Sequence, residues 1–216
     1  PITLVESGEA SVGKKRNMGL DLAKGDYVYF LDSDDYVLPG CLNALMEEAE
    51  KSHNQVVAGK RMVSWFKKQV YETMSDETNI ERNLKDKDHD RLEKVERKQE
   101  KHAYDNEPEQ FKIDLLIRTR HALRNVSCLN LLIKRSLIEE NHISFKEEFF
   151  WYTDAPFVVE LLKYTNDVSF VEDAILVKRK HNDPINRPAL SQIKDPDGRF
   201  DEFIEAHNYC LEISKD

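Results

Sequence analysis

Along the first 66 residues, short β-branched or aromatic runs alternate with stretches whose apolar positions recur at helical spacing. ITLVES (2–7) predicts a short strand. SVGKKRNMGLDLAKG (11–25) predicts a helix capped by Ser11, with Val12, Met18, Leu20 and Leu22 as apolar contacts and Gly25 as its stop. DYVYFLD (26–32) predicts a strand, and SDDYVLPG a turn whose Pro39 suits a helix start. CLNALMEEAEKS (41–52) predicts a helix that buries Leu42, Leu45, Met46 and Ala49. QVVAGKRMVSWF (55–66) predicts the next strand. Strand, helix, strand, helix, strand is the order of an open α/β sheet.

The rhythm then breaks. Between residues 81 and 101 there are 15 charged residues in 21, seven acidic and eight basic. So balanced a run predicts a solvated helix or an insertion, and its near-neutral sum argues against a surface for a charged polymer. Periodicity returns with EQFKIDLLIRT (109–119), which predicts an amphipathic helix. VSCLNLLIKRSLIEENHISF (126–145) predicts a short strand followed by a helix, and TDAPFVVELLKYT (153–165) a helix opened by Thr153 or Asp154. DVSFVEDAILVKRKH (167–181) predicts two short strands. HNDPINRPALSQ (181–192) is a loop with two prolines, and GRFDEFIEAHNYCLEISK (198–215) a final helix.

Composition narrows the class. The chain has 216 residues, 40% hydrophobic and 34% charged, enough for one domain or one domain with an appendage. A net charge of -9 argues against a general nucleic-acid binder, whose affinity comes from neutralising phosphates with Lys and Arg. Cys41, Cys128 and Cys210 are odd in number, far apart and without metal spacing, which points to a reducing compartment. No run of 18 apolar residues predicts a membrane-spanning helix.

Two stretches carry candidate chemistry. GEASVGKKRN (8–17) approaches a phosphate-binding loop: Gly8, four residues, Gly13, Lys14. That pattern needs Ser or Thr next, to hold magnesium, and Lys15 stands there instead. Downstream, the strand DYVYFLD runs into Asp32, Ser33, Asp34 and Asp35. Carboxylates at the C-terminal end of a strand sit where open α/β sheets bind ligands. Hard oxygen donors there suit Mg²⁺ or Mn²⁺, which in turn bind diphosphate oxygens. Asp and Ser are equally common in turns, and spacing alone leaves the two readings level.

The surroundings break the tie. GEASVGKKRNMGLDLAKGDYVYFLDSDDYVLPG resembles the donor-binding segment of family 2 glycosyltransferases, which have the GT-A fold. The matching features are Gly13, Arg16-Asn17, Gly19, Ala23, Gly25-Asp26 and Asp32-Ser33-Asp34-Asp35, in that order. SCLNLLIKRSLIEENHISFKEEFFWYTDAPFVVELL resembles the acceptor-side segment of the same family. There an acidic pair, usually Glu-Asp, begins a helix, and its Asp is the catalytic base. Here the pair is Thr153-Asp154, a departure that keeps the base and changes its neighbour. By itself Asp154 reads as a helix N-cap. LVKRKHNDPINRPALSQ resembles the loop that closes over the donor, which suggests Lys178 and Arg179 as diphosphate contacts and His181 as a metal ligand. A lone histidine is more often structural.

The resemblance implies an α/β, Rossmann-like GT-A fold: an open mixed sheet flanked by helices, incomplete at the N-terminus because the family's first strand–helix–strand would precede residue 1. It divides the chain into a GT-A-like domain (1–190) and a C-terminal helix or linker to a further module (191–216). Within the domain, about 1–66 would form the donor part, about 70–108 the charged insertion and about 109–190 the acceptor side. The implied reaction is inverting, metal-dependent transfer of a hexosyl or N-acetylhexosaminyl group from a nucleotide-diphosphate sugar, a UDP-sugar foremost. The acceptor would be a hydroxyl of a cell-surface polysaccharide or teichoic-acid-like polymer. Asp154 would be the base; Lys15, Arg16, Asn17, Asp32 and Arg179 would bind the donor; Asp32, Asp34 and His181 would hold Mn²⁺ or Mg²⁺. The implied setting is cytoplasmic, with room for peripheral attachment at the inner face of the cell membrane. Two rivals share some of these features: a nucleotidyltransferase, and a non-catalytic module that binds an anionic polymer.

Overall fold

A computed structural model describes residues 2–8, 11–65, 70–73, 126–180 and 196–214. The charged run at 81–101, the helix expected at 109–119, the proline-containing loop and His181 lie outside the described residues.

In chain order the elements are α1 (Val12–Leu22), β1 (Tyr27–Tyr29), β2 (Tyr36–Val37), α2 (Cys41–Ser52), β3 (Val56–Trp65) and β4 (Val70–Thr73). After the undescribed segment come β5 (Leu131–Lys134), α3 (Arg135–Glu140), α4 (Asp154–Tyr164), β6 (Val168–Lys180) and α5 (Pro196–Ile213). The strands form one sheet in the order β1-β5-β3-β6-β2, with β4 paired to β3. The long β3 and β6 run parallel, whereas β1–β5, β5–β3, β2–β6 and β3–β4 are antiparallel. The sheet is therefore open and mixed, as expected.

Strand alternation explains how both faces are covered. Val56, Ala58, Leu131 and Ile133 face the larger core, with Phe157, Leu161 and Leu162 of α4 and Ala206 and Cys210 of α5. Val57 and Leu132, one position out of phase, face a second cluster with Cys41, Leu45 and Ala49 of α2. At the centre of the larger core Phe145 and Phe157 stack with centroids 4.0 Å apart, and Phe30 meets both edge-on.

Along the β3–β6 pairing the register shifts between Gly59 and Lys60. The reason is local: a Cβ on Gly59 would lie 2.4 Å from both the Ala174 carbonyl oxygen and Asn130 Nδ2. Asn130 is fully buried, has a left-handed backbone (φ 62°) and fills that junction. Its Nδ2 donates to the carbonyls of Lys60 (2.6 Å) and Ala174 (2.8 Å), and its Oδ1 accepts from the Tyr29 hydroxyl (2.8 Å).

Several expectations change. Residues 2–7 form no strand, and Ile2 and Leu4 are exposed, because no described strand lies alongside to pair with them. Helix α1 ends at Leu22 with an extended Ala23, so Gly25 is not its stop; the Gly25 carbonyl accepts from Arg135 Nε instead. Gly40, in the left-handed region (φ 85°), is the N-cap of α2 rather than Pro39 its start. Cys41 takes the buried place expected of Leu42, which is exposed. The two strands expected at 167–181 are one, β6, carrying the irregularity opposite Gly59. Thr153 is the N-cap of α4 by position, yet its side chain makes no capping bond.

Candidate active site

Helix α1 has one buried residue, Gly13. A Cβ there would meet the Lys146 carbonyl oxygen at 3.1 Å and Phe145 Cβ at 3.4 Å, so the glycine lets α1 press against residues 145–147. Side chains of the same helix lock that contact. Ser11 Oγ accepts from the Lys14 amide (3.2 Å) and donates to the Glu147 carbonyl (3.3 Å). Asn17 Oδ1 accepts from the Phe145 N–H (2.8 Å), while its Nδ2 donates to the Phe145 carbonyl (2.9 Å) and to Glu147 Oε1 (3.1 Å). The near-P-loop spacing is thus a packing device, and Asn17 serves as a clasp between the two candidate segments. Removing it strands two backbone groups, so Asn17→Ala should lower stability by about 1–3 kcal/mol. The check is a lower urea midpoint at unchanged m-value.

Arg16 projects from this clasped helix into the centre of the site. One guanidinium nitrogen donates to Asp154 Oδ1 at 2.5 Å and the other to Asp32 Oδ1 at 3.1 Å, with Phe145 beneath (5.2 Å to its centroid). Burial alone would lower the Arg16 pKa, but the two carboxylates outweigh it and raise it. Asp154 opens α4. Its Oδ2 also accepts from the Cys128 amide (3.3 Å), and its Oδ1 from the Thr153 hydroxyl (3.3 Å). Burial pushes the Asp154 carboxyl up, yet Arg16, Ser127 and Lys178 together hold it below the usual carboxylate range.

The second half is the acidic turn. Asp32, Asp34 and Asp35 bring one oxygen each to within 4.8 Å of one another. The Asp35 amide closes the turn on the Asp32 carbonyl (3.0 Å). Asp35 is buried; its Oδ1 accepts from the Arg179 amide (2.9 Å), and its buried Oδ2 finds no hydrogen bond among the described residues. Burial raises its pKa, opposed by the Arg179 amide and by Lys178. Arg179 Nε also donates to the Asp34 carbonyl. A buried carboxylate oxygen without a donor, beside two further carboxylates, suits a divalent cation with oxygen preference.

Arg16, Asp32, Asp34, Asp154 and Arg179 are therefore brought together around one centre, Lys178 lies close enough to act on both Asp35 and Asp154, and Asn17 is spent on Phe145 and Glu147. Lys15 faces elsewhere, lining an open cleft of about 430 Å³ with Thr3, Val5, Ser7 and Met18. Sequence reasoning missed Cys128, whose contribution is a backbone amide and carries no residue signature. It also missed the Asp32–Arg16–Asp154 bridge, because nothing in either motif says that the two segments meet through one side chain.

The structure resembles that of Staphylococcus aureus TarS residues 1–349 in complex with UDP-GlcNAc, with a TM-score of 0.61 at 17% identity over 98% of this chain and 50% of that one. At that identity the likeness is one of fold, here the GT-A fold. A Bacillus subtilis (strain 168) protein described as the uncharacterized glycosyltransferase EpsJ is 22% identical over 196 residues, 88% of this chain and 49% of its own length. The poly(ribitol-phosphate) beta-N-acetylglucosaminyltransferase TarP of S. aureus (strain N315) is 34% identical over 74 residues, 34% of this chain and 22% of its own length. The chain thus spans about half the length of EpsJ and less of TarP. The pattern of the family described as Glycosyl transferase family 2 matches residues 2–140, a stretch that holds Arg16 and the acidic turn, and on that match the chain belongs to glycosyl transferase family 2.

Proposed function

We propose that this chain transfers a sugar from a nucleotide-diphosphate sugar to a hydroxyl group, with inversion, using Asp154 as the base. The observation that carries this reading is the Arg16 guanidinium spanning Asp32 of the acidic turn and Asp154 at the head of α4. Transfer has two physical problems: a weak nucleophile, and a diphosphate that gains charge as it leaves. Arg16, Lys178 and Arg179 are fixed positive groups beside the acidic turn and lower the cost of that charge. Asp32, Asp34 and Asp35 would hold Mn²⁺ or Mg²⁺, whose contribution is to neutralise the diphosphate.

Asp154 accepts the acceptor's proton. With Arg16 on its Oδ1 it is ionised but weakly basic. A diphosphate drawn to Arg16 competes for the guanidinium, leaves the effect of burial less opposed and so raises the proton affinity of Asp154. Donor arrival thereby prepares the base, which favours donor binding first. TarP's description supports a polyol-phosphate polymer as acceptor, and the UDP-GlcNAc complex of TarS supports that donor as the first to try. A setting in the cytoplasm, with peripheral attachment at the membrane's inner face, suits both reagents; no helix of the described residues is long and apolar enough to cross a membrane.

The test is incubation with UDP-GlcNAc, Mn²⁺ and a poly(ribitol phosphate) acceptor, following UDP release and sugar on the polymer. Both together support transfer. Pyrophosphate released from a nucleoside triphosphate would replace it with nucleotidyl transfer, and polymer binding without nucleotide turnover with a binding module. Within this scheme, Asp34→Ala should weaken Mn²⁺-dependent donor binding by at least about tenfold. Calorimetric titration with and without Mn²⁺ checks it, and an unchanged metal dependence removes Asp34 from the ligand set.

A further inference from the structure

Helix α5 places one buried carboxylate, Glu202, against the segment that leads into Asp154. Glu202 Oε2 accepts from the Phe150 amide at 2.9 Å, and Oε1 accepts from the amides of Trp151 (2.6 Å) and Tyr152 (2.7 Å). Three consecutive backbone donors, about 50 residues away in sequence, converge on one side chain. Charge-assisted bonds of this kind are short and about twice as strong as neutral ones. They also fix the backbone: three adjacent peptide planes that share one acceptor cannot rotate independently. The position favours the charge as well, because it lies just ahead of α4, whose amino end carries the positive pole of the helix.

The rest of α5 reinforces the contact. The Tyr209 hydroxyl donates to Glu160 Oε1 of α4 (2.5 Å), which also pairs with Lys146 (2.9 Å), and Lys146 lies over the Tyr209 ring. Tyr152 meets Phe203 edge-on at 5.6 Å. Lys146 follows Phe145, the residue clasped by Asn17, so α1 holds residues 145 and 147 while α5 holds Lys146 and residues 150–152 of the same segment. Asp154 stands two residues after the last clasped amide.

We propose that Glu202 is a positioning residue for Asp154, and that α5 is thereby a working part of the acceptor side of the site. The inference rests on the transfer reading above. Misplacing a reacting group by about 1 Å can cost on the order of 10²-fold in rate, which sets the size of effect to look for. Since the hydrogen bonds of Glu202 go to the amides of residues 150–152 and not to the residues that hold the donor, its loss should spare the donor.

The experiment compares Glu202→Ala with Glu202→Gln. Glutamine keeps one carbonyl oxygen for Trp151 and Tyr152 but sets an NH₂ group against the Phe150 amide. In the alanine variant kcat for transfer to the polymer should fall by roughly 10–100-fold, with the calorimetric Kd for UDP-GlcNAc within about twofold. The glutamine variant should fall in between. Hydrogen exchange at the amides of Phe150, Trp151 and Tyr152 should quicken in the same order. Were kcat unchanged despite faster exchange, the positioning role would be wrong. Were kcat and donor affinity to fall together with the folded fraction, Glu202 would be a packing residue only. An unaltered chain that transfers nothing would overturn the transfer reading itself, a result told apart because it appears before any substitution is made.

Discussion

Asp154→Asn should slow sugar transfer by about 10²–10⁴-fold while donor binding stays equal or becomes tighter. The sign of the second effect follows from the bridge. Arg16 is shared between Asp154 and Asp32, and asparagine removes the charge that competes with a diphosphate for the guanidinium. Asp32 remains, so Arg16 is not left as an unpaired, nearly buried cation, a situation that would cost several kcal/mol. The amide keeps the carboxylate's shape and still offers one oxygen to the Cys128 N–H or to Arg16. The fold should therefore survive, and single-turnover transfer together with calorimetric donor titration separates the two roles. Normal transfer in the variant would mean that another group takes the proton. Slowed transfer with weakened donor binding would make Asp154 an anchor that orients Arg16 rather than a base.

Most of the architecture was legible because it rests on local signals. Helix α2 is read from its spacing and β3 from its β-branched run, and the order of elements alone implies an open α/β sheet. The acidic turn was legible as chemistry only in company with Arg16-Asn17 and Gly13, since three acidic residues in a turn are common. What escaped depends on contacts distant in sequence. Gly25 looks like a helix stop, but α1 had already ended at Leu22 and the Gly25 carbonyl was taken by Arg135. Residues 2–7 have a strand's composition, yet a strand exists only through a partner. Residues 167–181 read as two strands but form one: Glu172 and Asp173, which interrupt the apolar run, are exposed at the irregularity opposite Gly59, where β6 continues without a break. Glu202 is one of five acidic residues in α5, and nothing about its spacing separates it from the solvent-facing Asp201.

Asn130→Ala should be the most damaging single change to the fold, costing about 3–5 kcal/mol and lowering Tm by on the order of 10 °C. Asn130 is fully buried where β3, β5 and β6 come together, and each end of its amide is used. Alanine would leave the carbonyls of Lys60 and Ala174 and the hydroxyl of Tyr29 without that partner. It would also have to adopt the left-handed backbone of Asn130, which asparagine tolerates and alanine resists by roughly 1 kcal/mol. Volume and donor chemistry can be told apart with Asn130→Asp, which keeps the shape and the backbone preference. An aspartate turns the two N–H donors into an oxygen facing two carbonyl oxygens, so it should destabilise at least as much as alanine despite filling the site. Thermal unfolding of both variants decides the matter. If the aspartate form were as stable as the original, the amide would be filling space beneath Gly59 and the strand junction would not depend on its hydrogen bonds. If both variants unfold early, this one amide holds the pairing of β3 with β6, the strand that carries Lys178 and Arg179 to the acidic turn.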